Sequence, residues 1–429
     1  MTEHQPTTPA PELALVPGLD QVETPAYVYD LDEARRAHGL LRRMLPQPSR
    51  LFYSLKANAH PAIVEALAGL GCSAEVCSSG ELAAALEAGV APDRILYTGP
   101  GKRDAEMTEA VKAGVGWFSV DSPAALDQAA RTAEAAGVTV RCLLRINDSS
   151  PAPGQSLTMT GVASQFGADA DWVLSRPGEF AARPGVELAG LHLYMGSNIT
   201  DEDALVAQFT TAVSTARRIT DSLGLDLRLL NLGGGFGAPY ARSGPLPLFD
   251  GLARRVAGLL DAEFPGWREG GPCVAFESGR FLSGSCGSLL TRVLDVKMSH
   301  GRPVVVLESG INHLGGMSGL RRLPPLVPEV RTAVARGHGG GVLRGAIVTG
   351  PLCTPLDTWA RSLDLPEVRI GDVVEVRNVG AYGLSASLLA FLGHPMPQEV
   401  VVDGGRITGI SRLDLVRRNS VRLNSGGKE

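Results

Sequence analysis

Apolar runs of four to nine residues alternate with amphipathic stretches through the middle of the chain. Between the runs, segments such as 61–67 carry apolar residues at spacings of three and four, which is typical of helices. Eight such repeats over about 240 residues match the size and period of a (β/α)8 barrel, which is the fold that we predict. An open, doubly wound sheet is the alternative, and the strand count does not exclude it. The predicted barrel strands are Leu51–Leu55, Ser73–Cys77, Ile95–Thr98, Gly116–Val120, Val138–Ile146, Val186–Tyr194, Leu227–Leu232 and Cys273–Phe276.

After residue 295 the pattern changes to β-branched runs that glycine and proline interrupt. This pattern predicts a C-terminal antiparallel β-domain, and we expect it to take in the early strand Ala26–Tyr29. The predicted organisation therefore has five parts. They are a loose N-terminal arm (1–22), an N-terminal strand and helix that pack on the β-domain (23–45), the barrel (46–295), the β-domain (296–415) and a C-terminal tail (416–429).

Composition and charge narrow the class of protein. The formal net charge of −5 gives no basic footprint for nucleic acid, and no apolar run approaches the roughly 18 residues of a membrane span. The first residues lack the basic and apolar regions of a signal peptide, so we expect a cytoplasmic location. The six cysteines and eight histidines form no Cys-x-x-Cys or His-x-x-x-His pair, so we predict neither a metal site nor a disulfide framework.

Lys56 directly follows the first predicted barrel strand, at the end where barrel enzymes carry their chemistry. The chain has only five lysines against thirty-five arginines, so its cationic side chains are normally arginines. A desolvated lysine amine can lose its proton and form a Schiff base, whereas a guanidinium cannot. The alternative is a lysine whose aliphatic stem only covers apolar surface at the end of a strand.

Other strand ends carry groups that suit an anion. Gly233–Gly235 lets backbone N–H groups approach a ligand closely, and Ser197 and Arg280 could complete a phosphate site. A tight strand–helix turn explains the glycines equally well. Glu277 would place a carboxylate in the same cavity. A lysine, a phosphate site and a carboxylate are together what pyridoxal 5′-phosphate needs, because the carboxylate keeps the pyridine nitrogen protonated.

Eight short motifs follow one another along the chain. They are Tyr53-Ser54-Leu55-Lys56-Ala57-Asn58, Gly80-Glu81-Leu82, Arg145-Ile146-Asn147, Ser164-Gln165-Phe166-Gly167, Gly190-Leu191-His192-Leu193-Tyr194-Met195-Gly196-Ser197, Gly233-Gly234-Gly235-Phe236-Gly237, Glu277-Ser278-Gly279-Arg280 and Cys353-Thr354-Pro355-Leu356-Asp357. In this order they resemble the fold-type III pyridoxal-phosphate decarboxylases, the diaminopimelate/ornithine/arginine decarboxylase family. The resemblance covers about residues 25–415. Residues 351–357 and 391–395 are similar to the branch in specialised metabolism that includes carrier-protein glutamyl decarboxylases.

The resemblance implies roles for individual residues. Lys56 would form the Schiff base with the cofactor, and Cys353 would protonate the carbanion after CO₂ leaves, which suits a thiol with a reference pKa of about 8.5. In the family this cysteine comes from the second subunit, so a head-to-tail homodimer with shared active sites is implied. The implied cofactor-binding residues are Lys56, Tyr194 on the ring face, Glu277 on the pyridine nitrogen, and Ser197, Gly235, Gly279, Arg280 and Tyr382 around the phosphate.

The sequence departs from the family at Tyr194, where the family usually has a histidine that stacks on the cofactor ring. A tyrosine can stack equally well. His192 lies about 6–7 Å deeper in the barrel, so we assign it a structural role. Thr354 stands where the diaminopimelate and ornithine enzymes of the family have an acid that binds the distal ammonium of the substrate. A neutral threonine cannot make this charge-assisted contact, so we expect diamino acids to be poor substrates. Asp357 keeps a later family acid, and we give Thr354 and Asp357 as the substrate residues.

The sequence thus predicts a pyridoxal-phosphate-dependent α-decarboxylase in a biosynthetic pathway. Its substrate would be an amino acid or an aminoacyl group, which an acyl carrier protein could hold. An amino-acid racemase or epimerase on the same fold and a diaminopimelate decarboxylase of lysine biosynthesis are the alternatives. An inactive cofactor-binding relative is a third, although such proteins tend to lose the lysine or the cysteine, and this chain has Lys56 and Cys353. Arg321 and Arg322 only loosely resemble the family's substrate arginine and are better explained as surface residues.

Overall fold

The computed structural model describes residues 16–148, 157–158, 163–315, 327–333 and 341–417. Strand β1 (Ala26–Asp30) and helix α1 (Leu31–Met44) precede a closed barrel of eight parallel strands, which confirms the predicted fold. The barrel strands are β2 (Arg50–Ser54), β3 (Ser73–Val76), β4 (Ile95–Tyr97), β5 (Trp117–Val120), β6 (Val140–Asn147), β9 (Val186–Leu193), β11 (Leu229–Asn231) and β12 (Cys273–Ser278). Each pairs with the next in this order, and β12 closes the barrel on β2.

Helices cover the outside of the barrel, and several begin at a capping side chain. Ser78, Ser122 and Asp201 each accept a hydrogen bond from a backbone N–H in the first turn of the following helix. The helices are α2 (Pro61–Gly69), α3 (Ser79–Glu87), α4 (Asp104–Lys112), α5 (Pro123–Ala136), α6 (Ala170–Ser175), α7 (Glu202–Leu223), α8 (Leu252–Glu263) and α9 (Arg280–Ser283). Short strands β7 (Leu157–Thr158), β8 (Ala168–Asp169) and β10 (Gly196–Ser197) lie in the connecting segments.

The barrel interior is filled by two layers of side chains. The lower layer is apolar and contains Phe52, Leu96, Trp117, Leu143, Ala189, Leu229 and Ala275. Because side chains alternate along a strand, the next inward positions lie one layer closer to the carboxyl ends of the strands. They form a polar layer of Ser54, Glu75, Thr98, Ser119, Arg145, His192, Asn231 and Glu277. The barrel therefore has an apolar plug below and a polar surface that faces the mouth.

The second domain is a sheet that takes in β1, as the sequence predicted. Strand β1 lies between β13 and β19, and the main path of the sheet runs β17-β16-β14-β13-β1-β19-β20. The strands are β13 (Gly287–Ser299), β14 (Arg302–Leu307), β15 (Arg331–Thr332), β16 (Val342–Thr349), β17 (Thr358–Pro366), β18 (Val373–Arg377), β19 (Gln398–Asp403) and β20 (Arg406–Arg412).

The sheet is mixed, whereas the sequence predicted an antiparallel one. Strands β1 and β19 pair in parallel, and so do β14 and β16, while the remaining pairings are antiparallel. The reason is the path of the chain, since both parallel pairs join segments that are distant in sequence and not linked by a hairpin.

Backbone contacts join the β-domain to the barrel mouth. The Tyr382 N–H donates to the Ala57 carbonyl at 2.8 Å, and the Asn58 side-chain amide donates to the Gly380 carbonyl at 2.8 Å. These bonds hold the segment after β18 against the turn that carries Lys56. Within the described ranges, no helix has the length and apolar character to cross a membrane.

Candidate active site

A small cavity lies at the barrel mouth, beneath the segment that follows β18. All eight residues that the sequence analysis gave as cofactor-binding line this cavity. They are Lys56, Tyr194, Ser197, Gly235, Glu277, Gly279, Arg280 and Tyr382. Three further lining residues, Ser54, Phe236 and Ser278, were not predicted. They belong to the same motifs as the predicted residues, and which motif residue faces inward depends on how the barrel closes.

Lys56 lies in a 3₁₀ turn, Leu55–Ala57, that follows β2. Its side chain is 38% exposed because it lines the cavity, and its Nζ is 3.7 Å from Glu75 Oε2 and 5.5 Å from the centre of the Tyr194 ring. Burial is the largest single influence and would lower the pKa of Lys56, but the Glu75 carboxylate together with Cys77, Tyr194 and Tyr382 outweighs it and holds the pKa well above its ordinary value. The lysine is therefore an ammonium that a neighbouring carboxylate stabilises.

Glu75 is a site residue that the sequence analysis missed. It is 1% exposed, and its Oε1 accepts hydrogen bonds from the Thr98 hydroxyl and from Cys77 Sγ, the latter at 3.3 Å. Among the described residues its Oε2 has no hydrogen-bond partner and faces Lys56. The available signal was an acid at an alternate position of the predicted strand Ser73–Cys77, which a buried barrel strand tolerates only when the acid is paired.

Glu277 is the second buried carboxylate of the polar layer, on β12, which only β2 separates from the Glu75 strand β3. Asn231 Nδ2 donates to its Oε1 at 2.7 Å, and His192 Nε2 lies 3.1 Å from the same oxygen. Burial would raise the pKa of Glu277, but His192, Lys56 and Asn231 overcome that effect and hold the pKa well below its ordinary value. Glu277 is therefore an ionised acceptor that faces the cavity.

The anion side of the cavity is built from glycines and one arginine. Gly235 has φ +105°, and a Cβ there would come within 2.9 Å of the Gly196 carbonyl, so only glycine lets the two loops approach. Gly279 is equally constrained, because its Cβ would be 2.7 Å from that of Ala57. The Arg280 guanidinium lies 4.9 Å from the centre of the Tyr382 ring.

Two buried donors on this side are unused. Arg280 Nε and Ser278 Oγ find no hydrogen-bond partner among the described residues. Buried polar groups are normally hydrogen-bonded, so these atoms indicate an anion at this position. With Lys56 and Glu277 at the other side of the same cavity, the donor set fits pyridoxal 5′-phosphate: an amine, a phosphate site and a carboxylate.

The Cys353 loop, residues 351–357 between β16 and β17, contributes nothing to this cavity. Cys353 is exposed. The Asp357 carboxylate is 2% exposed and accepts backbone N–H groups of Ile311 and Leu352, each at 2.8 Å, so in this chain it supports the loop. The Thr354 hydroxyl accepts the backbone N–H of Leu356. Arg321 and Arg322 lie outside the described residues.

Comparisons with known proteins agree with this geometry. Residues 31–284, more than half of the chain, match the family described as pyridoxal-dependent decarboxylase, pyridoxal binding domain. The L-glutamyl-[BtrI acyl-carrier protein] decarboxylase of Niallia circulans is 31% identical over 401 residues, 92% of this chain and 91% of that protein. The diaminopimelate decarboxylase of Methanothermobacter thermautotrophicus is 32% identical over 427 residues, 95% of each chain. The crystal structure of Helicobacter pylori diaminopimelate decarboxylase with L-lysine has a TM-score of 0.78 at 26% identity, covering 92% of this chain and 94% of that chain.

The barrel and its cavity define the class as a pyridoxal-phosphate enzyme with the active site at the barrel mouth. The chain belongs to the pyridoxal-dependent decarboxylase family. It is accordingly a pyridoxal-phosphate-dependent carboxy-lyase that acts in amino-acid biosynthesis, which confirms the predicted family, activity and cofactor. The relatives are named decarboxylases, so the racemase alternative is not favoured.

Proposed function

We propose that this enzyme removes the α-carboxylate of an amino acid whose distal end carries no positive charge, held as a thioester on an acyl carrier protein. The observation that carries this proposal is Thr354, directly after Cys353. Its neutral hydroxyl cannot make the charge-assisted contact with a distal ammonium that a carboxylate makes, worth about 1.5–3 kcal/mol. The 31% identity to a decarboxylase that acts on a carrier-bound glutamyl group supports the same choice.

The cavity residues divide into three roles. Lys56 is the amine that binds the cofactor, Tyr194 covers its ring face, and Glu277 accepts from the pyridine nitrogen. The bound cofactor supplies an electron sink for the carbanion that forms when CO₂ leaves. The phosphate is held by Ser197, Gly235, Gly279, Arg280 and Tyr382, a proposal that the unused Arg280 Nε supports.

Glu75 positions Lys56 in the cavity. Its Oε2 lies 3.7 Å from Nζ and has no hydrogen-bond donor among the described residues, so it attracts the ammonium and holds the side chain at the barrel mouth until the amine binds the cofactor. The carboxylate is held in this orientation by the Thr98 and Cys77 donors on its other oxygen.

Cys353 acts from a second copy of the chain, in a head-to-tail homodimer. Its thiol is exposed and absent from the cavity of its own chain, so it has nothing to protonate without a partner. Exposed apolar side chains lie close by: Leu356 is 50% exposed, and Leu388, whose backbone N–H donates to the Ile311 carbonyl, is 39% exposed. Exposed apolar groups around a reactive side chain favour a contact surface at this loop.

The test is CO₂ release by the purified enzyme with pyridoxal 5′-phosphate. Free lysine, ornithine, meso-diaminopimelate and glutamate are compared with glutamyl-loaded carrier protein, each labelled with ¹³C at the α-carboxylate. We expect ¹³CO₂ from the carrier-bound substrate and at most trace amounts from the free amino acids. Turnover of free meso-diaminopimelate would overturn the interpretation of Thr354 and assign the enzyme to lysine biosynthesis.

A further inference from the structure

We propose that His192 is a positioning residue that keeps Glu277 ionised and aimed into the cavity. This inference rests on the proposed role of Glu277 toward the pyridine nitrogen. His192 was assigned a structural role from its sequence position, because it lies below the residue that covers the cofactor ring. Its contacts in the polar layer give it a more specific task.

His192 joins two other members of the polar layer. It is 1% exposed, its Nδ1 is 3.0 Å from Ser119 Oγ, and its Nε2 is 3.1 Å from Glu277 Oε1. Nε2 makes no well-aligned hydrogen bond, so its contact with the carboxylate is mainly electrostatic. Ser119, His192 and Glu277 therefore form a chain from strand β5 across the barrel to β12.

Ser119 decides which nitrogen of His192 faces the carboxylate as a donor. When the Ser119 hydroxyl donates to Nδ1, the imidazole proton must reside on Nε2, the nitrogen that lies beside Glu277. The N–H dipole then points its positive end at the carboxylate. Loss of His192 would leave this buried charge with one donor fewer.

Asn231 gives Glu277 its second support. Asn231 Oδ1 accepts the Gly233 N–H at 2.9 Å, which fixes the orientation of the amide and directs Nδ2 at Glu277 Oε1, 2.7 Å away. The Asn231 hydrogen bond and the His192 electrostatic contact are both made to the same oxygen. The other oxygen of the carboxylate has no protein hydrogen bond among those that the described residues make, and it is free to accept from a ligand.

A space-filling role does not account for this arrangement. The layer directly below is apolar, so a leucine would fill position 192 equally well. A buried carboxylate that loses a donor gains a proton more easily, and a protonated carboxyl can no longer accept a charge-assisted bond from a pyridinium. His192 thus acts on the cofactor only through Glu277.

A double-mutant cycle tests this inference. The dissociation constant of pyridoxal 5′-phosphate is measured by absorbance titration of the apoenzyme for His192→Leu, Glu277→Gln and the double variant. We expect His192→Leu to weaken cofactor binding by roughly 10- to 100-fold, the range for a hydrogen bond to a charged group. In the Glu277→Gln background the same change should have less than about a twofold effect, because the carboxylate it supports is absent.

Two further variants make the result specific. His192→Gln keeps a donor near Nε2 and should recover most of the lost affinity. His313→Gln changes a buried histidine of the β-domain and should add independently to Glu277→Gln. Equal effects of His192→Leu in both backgrounds, or no effect in either, would overturn the inference. If Glu277→Gln itself left the affinity and the spectrum unchanged, the proposed role of Glu277 would fail instead. Thermal unfolding of each apoenzyme confirms that the variant is folded.

Discussion

The barrel mouth and the Cys353 loop differ in how complete they are within one chain. At the mouth, eight predicted residues line one cavity, and its two carboxylates have partners from neighbouring strands. In the loop, Asp357 accepts two backbone N–H groups, yet the thiol that the loop carries is exposed and belongs to no cavity that it shares with Lys56. The residues of the barrel mouth come together within one chain. The Cys353 loop is held in place, but its thiol lies outside the cavity of its own chain.

A loop can therefore be held firmly by hydrogen bonds and still lack, within its own chain, the other groups of an active site. The Cys353 loop is held by a buried carboxylate on the inside and presents its thiol on the outside. Such a loop suits a surface that meets another protein, whereas the mouth suits a small molecule.

Lys56→Ala should abolish both the absorbance of lysine-bound cofactor and CO₂ release, because no other cavity side chain offers an amine. The control is Lys112→Ala, which removes an exposed lysine from α4 and should change neither. Both variants are followed by visible absorbance and by CO₂ release. A normal cofactor band in Lys56→Ala would show that the mouth is not the site of attachment.

Cys353→Ser should leave the cofactor band unchanged and slow turnover by about 100-fold or more, because a hydroxyl is a far weaker proton donor than a thiol near neutral pH. The measurement pairs the cofactor dissociation constant with kcat. Cys273→Ser, at a partly buried cysteine of β12, is the control for replacing a thiol. An unchanged kcat in Cys353→Ser would mean that another group gives the proton.

His313 should make the stability of the β-domain sensitive to acid. It is 3% exposed, its Nε2 is 3.0 Å from the Pro395 carbonyl, and burial lowers its pKa from about 6.5 to about 4. The folded protein therefore binds this proton less tightly than the unfolded chain does. Its contribution is complete above pH 6.5 and is lost as the pH falls toward 4, by at most about 3 kcal/mol of unfolding free energy.

The check on His313 is the free energy of unfolding between pH 7 and pH 4. His313→Gln should flatten this pH dependence, while His300→Gln, at an exposed histidine, should leave it as in the wild type. Equal slopes for His313→Gln and the wild type would contradict the assignment.

Asp357→Asn should lower the unfolding free energy by about 2 kcal/mol, since an amide can accept at only one of the two positions that now receive N–H groups. Chemical denaturation measures the loss. Asp364→Asn is the matched control, because its carboxylate accepts the Gly345 N–H on an exposed strand and should change stability by less than about 0.5 kcal/mol. A loss in the control as large as that in Asp357→Asn would argue against a special role for the buried acid.

The sequence sufficed for the barrel because the strands are short, mainly apolar runs that alternate with helical patterns, and for the cavity because most of its residues lie at or just after the ends of those runs. It did not reveal Glu75 or the contacts of His192. Whether an alternate position faces the barrel interior, and which neighbour it meets there, depends on closure between β12 and β2. The parallel pairing of β1 with β19 could not be predicted from the sequence either, because about 370 residues separate the two strands.

Asp357 is a single residue whose contacts the sequence could not reveal. From sequence it was named with Thr354 as a substrate residue because it keeps a later acid of the family, and a structural task was the alternative. Its partners are backbone N–H groups of Ile311 and Leu352, which no side-chain pattern reports.

In the proposed homodimer, a complete active site combines Lys56 of one copy with Cys353 of another. The most direct measurement mixes Lys56→Ala chains with Cys353→Ala chains that carry different affinity tags, isolates the mixed dimers, and records CO₂ release. Each variant alone should be inactive, and the isolated mixed dimers should show up to about half of the wild-type activity, because each of them holds one intact site of two. Mixed dimers that form and stay inactive would contradict the claim and place both residues in one chain's own site.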